Sequence, residues 1–313
     1  MNTRRVAFLF PGQGSQHVGM GKDFYDHIPL AREIYEEANE ALGWDVAKLS
    51  FEGPKDELTL TCHTQPAIMV HSYIAQTLLR ENGVDPVLVL GHSLGEYSAL
   101  LAAGALDFRT TLLLVRERGK YMHEAVPQGG GAMAALLGLD RDAVEAVCRE
   151  VKGVVEVANY NAPGQIVISG EREAMKSAVA LAEDRGVKKT MMLPVGAPFH
   201  CSLLAEASER MSEVLDSVEF SDPSIPVYSN VTAKPIQNGE EARNILKKQV
   251  RAAVLWEDSV RAAKEEEVGT FVEVGPGKVL TGLNKRISRG TPVFNVEDRE
   301  SLEKTIAAVS EAA

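Results

Sequence analysis

The chain has 313 residues, enough to bury a sizeable core in one large domain or two. With 45% hydrophobic and 25% charged residues it has the composition of an ordinary globular protein, without a disorder signature or an apolar run long enough to span a bilayer. Lysine and arginine number 33 against 44 aspartate and glutamate, and the net charge of −11 argues against non-specific nucleic-acid binding and against adhesion to an anionic membrane.

"VAFLF" (6–10) reads as a buried strand ending in the loop "PGQGSQ". It starts so near Met1 that no signal or transit peptide is expected. "DPVLVLG" is a second buried strand, "SLGEYSALLAAGAL" a helix, and Asp107 an N-cap for the helix "FRTTLLLVRERGKYMHEAV". Strands that are apolar throughout, alternating with helices, predict an α/β fold with a mostly parallel sheet covered on both faces. The middle differs. After "PQGGG" come a strand "AMAALLGL", a helix capped by Asp140, strands "VVEVANY" and "QIVISG" around the turn "NAPG", a helix "EREAMKSAVALAEDRG" and a strand "VKKTMMLPV". That βαββαβ order is the ferredoxin-like split arrangement, about 70 residues able to close a small core of their own. It reads as an insertion at 127–196 in a larger domain made of 1–126 and 197–313. The α/β pattern then resumes with a helix at 201–218, a strand "PVYSNV", helices near 239–250 and 256–267, a strand "TFVEVGP", a helix at 277–287, a strand "PVFNV" and a terminal helix.

Three cysteines, Cys62, Cys148 and Cys201, are odd in number and widely spaced; they make no disulfide framework and point to a reducing compartment, the cytoplasm. "GHSLG" fits G-x-S-x-G between a strand and a helix, the setting of a strained nucleophile elbow. Glycines at ±2 remove side chains that would collide across the turn, and Ser93 would sit at a helix N-terminus that favours developing negative charge. The bland alternative is a serine that caps the helix. A reactive serine needs a base. His92 is its neighbour, but adjacent side chains on a sharp turn diverge. His200, in "PVGAPFHC" where the chain re-enters the larger domain, is the better placed of the seven histidines. Cys201 beside it reads as small-residue packing. The glycines of "PGQGSQ" serve equally as an oxyanion-hole loop or as an ordinary turn, and the spacing fits no phosphate loop. Arg116 and Arg118 point to different sides of their helix, and spacing does not say which faces inward. No histidine–carboxylate spacing suggests a metal site.

"FLFPGQGSQ", "TQPAI", "GHSLGEYSAL", "RGKYM", "NAPGQIVISG", "PFH" and "EVGPGKVLTGL" occur together and in order. From about residue 6 to 290 the chain thereby resembles the bacterial malonyl-CoA:acyl carrier protein transacylases of dissociated fatty-acid synthesis. The resemblance implies an α/β-hydrolase-like large subdomain carrying a ferredoxin-like small one. It implies Ser93 as the acylated nucleophile, His200 as general base, Arg118 as partner of the malonyl carboxylate, and the backbone N–H groups of Gln13 and Leu94 as oxyanion hole. Gln249 matches a glutamine whose carbonyl oxygen, of side chain or main chain, orients the imidazole. The partners implied are malonyl-CoA and phosphopantetheinylated acyl carrier protein, with no cofactor. An α/β-hydrolase-type thioesterase or esterase shares G-x-S-x-G but places its histidine late in the chain. An acyltransferase for a different acyl unit and an inactive carrier-binding subunit are rival readings of the same residues. Two basic clusters, Lys188 with Lys189 and Lys285 with Arg286 and Arg289, are candidates for docking the acidic carrier protein at the cleft entrance, or are ordinary solvated side chains.

Overall fold

In "VAFLF" successive side chains leave the strand on opposite faces, and both sets are buried. Val6, Phe8 and Phe10 enter one core while Ala7 and Leu9 enter the other. Only a strand sandwiched between two layers has no use for a polar face. In the computed structural model, which describes residues 5–127, 129–195 and 197–310, this strand is β1 (Val6–Phe10), the centre of a five-stranded parallel sheet. Helices α1 (Lys22–His27), α2 (Pro29–Leu42), α3 (Val46–Glu52), α4 (Lys55–Leu58) and α5 (Thr61–Glu81) lead from it to β2 (Leu88–Gly91). The sequence motifs name no element in this helical stretch. Then follow α6 (Gly95–Ala102) and α7 (Phe108–Glu124), the latter capped by Asp107, whose side chain accepts from Thr110 N–H.

The middle of the chain forms β3 (Gly131–Leu137), α8 (Arg141–Glu150), β4 (Val155–Ala162), β5 (Gln165–Glu171), α9 (Arg172–Asp184) and β6 (Lys189–Met192). Asp140 caps α8 by accepting from Ala143 N–H. These four strands make a separate antiparallel sheet of order β4-β5-β3-β6, the ferredoxin-like arrangement that the element order predicts. Its two faces divide the work. Ala132, Ala134 and Leu136 of β3 pack under α8 and α9, while Met133 and Ala135 join the core of the larger unit. Gln128 of the "PQGGG" boundary and Gly196 of "GAPFH" lie outside the described residues.

The remainder comprises α10 (Ala205–Asp216), β7 (Val227–Tyr228), α11 (Gly239–Gln249), α12 (Trp256–Glu265), β8 (Thr270–Val274), α13 (Val279–Ile287), β9 (Val293–Val296) and α14 (Arg299–Ser310). The large sheet runs β7-β2-β1-β8-β9 with every neighbouring pair parallel. Several expected elements are shorter in the structure: the strand expected over "VKKTMMLPV" is only Lys189–Met192, and the helix expected over "SLGEYSALLAAGAL" is only Gly95–Ala102. The helix expected from 201 opens with a 3-10 turn, Ser202–Leu204, before α10 begins. "PVYSNV" is strand only at Val227 and Tyr228, because Ser229 Oγ accepts from Val231 N–H at 3.0 Å and Thr232 N–H at 3.3 Å and turns the chain. That turn carries Asn230 away from the ladder and toward the end of β2.

The small sheet is held on the larger unit at several points. Arg141 of α8 makes paired contacts of 2.8 and 2.9 Å to Asp258 of α12 and lies over the Tyr160 ring. Tyr160 N–H donates to Val254 O at 2.9 Å and Val254 N–H to Ala158 O at 2.8 Å. Among the described residues no helix is long and apolar enough to cross a membrane.

Candidate active site

Loops at the C-terminal ends of β1, β2 and β7 meet at one edge of the parallel sheet, where open α/β sheets bind ligands. The loop after β2 is a tight turn into α6, with Gly95 N–H donating to His92 O at 2.9 Å. Its two glycines are required by contact. A Cβ on Gly91 would lie 1.9 Å from the Gly95 carbonyl, and one on Gly95 would lie 2.0 Å from the Phe10 oxygen. Between them Ser93 takes φ 54°, a left-handed conformation that costs a non-glycine residue of order 1–3 kcal/mol. Asn230 holds it there. Its Oδ1 accepts from Ser93 N–H at 2.6 Å and its Nδ2 donates to Gly91 O at 2.6 Å.

His200 Nε2 stands 2.7 Å from Ser93 Oγ. His200 is also left-handed, at φ 58°, and is buried. Its Nδ1 lies 3.0 Å from two main-chain carbonyls, those of Gln249 and Ala252. Carbonyls only accept, so Nδ1 carries the proton and the Nε2 lone pair of the neutral ring faces the serine hydroxyl. Burial, the charge of Arg118 and His92 push the His200 pKa down to about 3, which keeps the ring neutral. His92 turns away, its Nε2 2.8 Å from Asn161 Oδ1 in the "NAPG" turn. Cys201 is buried with Sγ 3.2 Å from Pro198 O, and burial raises its thiol, leaving it poorly suited to attack.

Of the two arginines on α7, Arg118 is the inward one, 1% exposed, while Arg116 pairs with Glu117 at 2.8 Å. Arg118 Nη1 donates to Gln65 Oε1 at 2.9 Å; Nη2 donates to Ser93 Oγ at 3.1 Å and to Gln249 Oε1 at 2.9 Å. Burial pulls its pKa down, opposed by Tyr97 and Glu96. Gly119 explains how it reaches so far. A Cβ there would lie 2.6 Å from Thr61 O, so only glycine lets α7 approach α5 closely enough to present Arg118 to Gln65.

Gln249 is therefore involved twice: its main-chain oxygen meets His200, and its side chain meets Arg118, Ser93 O and Glu96. Gln13 lines a narrow cleft of about 90 Å³ over Ser93 and His200, together with Met133, Asn159 and Leu193. Gly12 backs onto the His92 carbonyl, with 2.4 Å to a Cβ placed there, which draws the loop after β1 against the elbow. Among the described residues neither Gln13 N–H nor Leu94 N–H donates to an acceptor.

Spacing and motif singled out neither Gln65 nor Glu96 nor Asn230, yet all three are neighbours of the site. The first two lie within the "TQPAI" and "GHSLGEYSAL" motifs, while Asn230 sits in a segment that reads as strand. The five basic docking candidates are all exposed, and Lys188 and Arg286 lie near the turn at Pro163 and Gly164. Lys188 N–H bonds Leu137 O, Gly138 N–H bonds Gly164 O, and Arg286 Nη2 bonds Pro163 O at 2.8 Å. Arg286 also bonds Gln165, so it fastens α13 to the small sheet. Along β3 this end of the sheet is about 13 Å from Met133 in the cleft.

The acyl transferase domain family model matches residues 7–301. The chain belongs to the acyltransferase family. It is 44% identical over 310 residues to the malonyl CoA-acyl carrier protein transacylase of Bacillus subtilis, covering 98% of each chain. Among acyltransferases of known structure, the acyl-carrier-protein S-malonyltransferase of Burkholderia pseudomallei superposes with a TM-score of 0.94 at 44% identity, over 97% of this chain and 99% of the other. The structure of a type II PKS acyl-carrier protein in complex with its malonyl-transacylase matches with a TM-score of 0.95 at 41% identity, over 97% and 99%.

The burial of His200 has a measurable consequence. NMR titration of its imidazole should show a neutral, Nδ1-protonated ring throughout pH 5–8, where an ordinary histidine titrates near 6.5. Removing the Arg118 charge by Arg118→Ala should move the midpoint upward. A midpoint near 6.5 in the parent protein would contradict the geometry.

Proposed function

We propose that this acyltransferase moves the malonyl group of malonyl-CoA onto the phosphopantetheine thiol of acyl carrier protein, through a malonyl ester on Ser93. One observation carries the reading: the same serine oxygen meets a neutral imidazole at 2.7 Å and a buried guanidinium at 3.1 Å. The first can take its proton, and the second can fix an acyl group that ends in a carboxylate.

In the first half-reaction Ser93 Oγ attacks the thioester carbon while its proton passes to His200 Nε2. The negative oxygen of the tetrahedral intermediate is received by the N–H groups of Gln13 and Leu94, which have no other acceptor among the described residues. The carbon–sulfur bond then breaks, His200 returns the proton to sulfur, and CoA leaves as its thiol. In the second half the pantetheine thiol gives its proton to His200 and its sulfur attacks the ester. The carbon–oxygen bond breaks and Ser93 recovers its proton. The Gln249 and Ala252 carbonyls hold the imidazole throughout, so a dyad with a main-chain orienter replaces the usual acid. Arg118 selects the substrate: two parallel N–H donors suit a carboxylate, whereas an acetyl group would leave the buried guanidinium unpaired.

The catalytic unit on this reading is residues 1–126 with 197–313, and the small subdomain 127–196 forms the opposite wall of the cleft through Met133, Asn159 and Leu193. We assign the protein to the cytoplasm, in keeping with its unpaired cysteines. Lys188, Lys189, Lys285 and Arg289 form the docking patch for the acidic carrier protein, and Arg286 supports it while bracing the two subdomains.

Intact-mass measurement after mixing with malonyl-CoA should show one malonyl adduct that disappears on adding holo carrier protein. Ser93→Ala should abolish the adduct, and His200→Ala should slow its formation about 10²–10⁴-fold with the fold retained. An adduct that persists in Ser93→Ala, or free malonate in place of malonyl carrier protein, would reject the assignment. Arg118→Ala should lower the preference for malonyl-CoA over acetyl-CoA by roughly 10–100-fold, and Arg118→Lys should restore little of it; an unchanged ratio refutes the role. Finally, Lys188→Glu with Lys189→Glu and Lys285→Glu should raise KM for carrier protein and flatten its salt dependence, leaving acylation by malonyl-CoA nearly untouched. Equal loss in both half-reactions, or in neither, places docking elsewhere. Arg286 is spared because its removal would also unfasten α13.

A further inference from the structure

We propose that Glu96, one helical turn beyond Ser93, is a positioning residue for substrate selectivity: it sets the orientation of the Gln249 amide and so holds Arg118 ready for the acyl carboxylate. The inference rests on the reading of Arg118 given above.

Glu96 is fully buried. Its Oε2 accepts from Gln249 Nε2 at 2.6 Å and its Oε1 from Asn230 N–H at 3.1 Å. An ionised carboxylate only accepts, so Gln249 must turn its amino group toward it. The other hydrogen of that amino group goes to Ser93 O at 2.8 Å, which leaves Gln249 Oε1 to accept from Arg118 Nη2 at 2.9 Å. Rotating the amide by half a turn would set its oxygen against two oxygens and its amino group against a guanidinium. Glu96 adds the one charged acceptor to the two groups that oppose this flip, Ser93 O and Arg118, and through Asn230 it also bears on the turn that carries Ser93.

Charge points the same way. Among the described residues no carboxylate forms an ion pair with Arg118, although it is 1% exposed. Glu96 is the buried acid of the same network, one amide removed. A carboxylate in direct contact would occupy the donors that the substrate needs. Placed behind Gln249, it offsets the cation without itself taking a guanidinium donor, and Arg118 Nε has no hydrogen-bond partner among the described residues. Burial pushes the Glu96 carboxyl up to about 7, with Gln249, Asn230 and Arg118 opposing, so the carboxylate form prevails at pH 8.

The test is Ser93 acylation at pH 8, with malonyl-CoA and acetyl-CoA compared by intact mass and by kcat and KM. Glu96→Gln keeps the shape, but one end of its amide donates and cannot serve both Gln249 and Asn230. The malonyl preference should fall about 10-fold, mainly through KM for malonyl-CoA, and Glu96→Asp should keep more of it. In an Arg118→Ala background Glu96→Gln should change selectivity no further, because Glu96 acts through that arginine. An unchanged preference, an equal loss with both acyl groups, or a full effect persisting without Arg118 would each overturn the proposal. Should Glu96→Gln not fold, Glu96→Ala, which removes both acceptors, enters the same cycle and is judged by the same outcomes. If Arg118→Ala alone leaves selectivity unaltered, the carboxylate reading of Arg118 falls, a failure distinguishable from that of Glu96.

Discussion

A guanidinium almost sealed from water lies within hydrogen-bonding distance of the serine hydroxyl, and the surrounding structure is arranged to make that tolerable. An unpaired buried charge is among the most costly features a protein can hold. Here Nη1 and Nη2 reach neutral acceptors, Gln65 and Gln249, while Nε has no partner among the described residues, and the face of the guanidinium lies 5.5 Å from the Tyr97 ring centre. Each partner comes from a different element: α5, α11 and α6. The close approach of α7 to α5 at Gly119 and the placement of α11 beside the elbow both serve this one side chain. Neutral partners stabilise the cation without forming an ion pair with it.

Backbone strain is the second constraint. Ser93 and His200 are both non-glycine residues with positive φ, and their side chains meet. Such conformations persist only where neighbours over-determine them. At Ser93 the neighbours are two glycines that allow the turn and Asn230, which bonds the chain on both sides of it. At His200 they are the two carbonyls on Nδ1 and the burial of the ring. The proposed nucleophile and base are thus aimed by the scaffold before any substrate arrives.

The small sheet contributes a wall. Its outer face is covered by its own two helices, so its inner face is free to lie against the larger unit. Asn161 reaches across to His92, next to the proposed nucleophile. The glycine-rich "EVGPGKVLTGL" segment works from the other side: a Cβ on Gly275 would lie 2.8 Å from the Pro11 ring, and Glu273 accepts from Leu280 and Thr281 N–H at the start of α13. The loop that carries Gln13 is braced from below by this segment.

Much of this is legible in the residues. Apolar runs without polar alternation predict a doubly covered parallel sheet, βαββαβ order predicts the inserted unit, and Asp107 and Asp140 mark helix starts, because each signal is local to a few residues along the chain. Ser93 is legible for the same reason, since its glycines and flanking elements are contiguous. What spacing could not supply was convergence. Whether Arg116 or Arg118 faces inward, whether Gln249 offers its side chain or its main-chain oxygen, and which histidine reaches the serine depend on contacts between residues 25 to 156 positions apart. Resemblance to a family named three of these residues, but not Gln65, Glu96 or Asn230, whose roles lie in hydrogen bonds to partners on other elements. The chain's local chemistry determined the elements and the tight turn that carries Ser93; only tertiary packing decided the company that the serine keeps, because a buried charge and a strained backbone are stabilised by groups that the sequence scatters and the fold assembles.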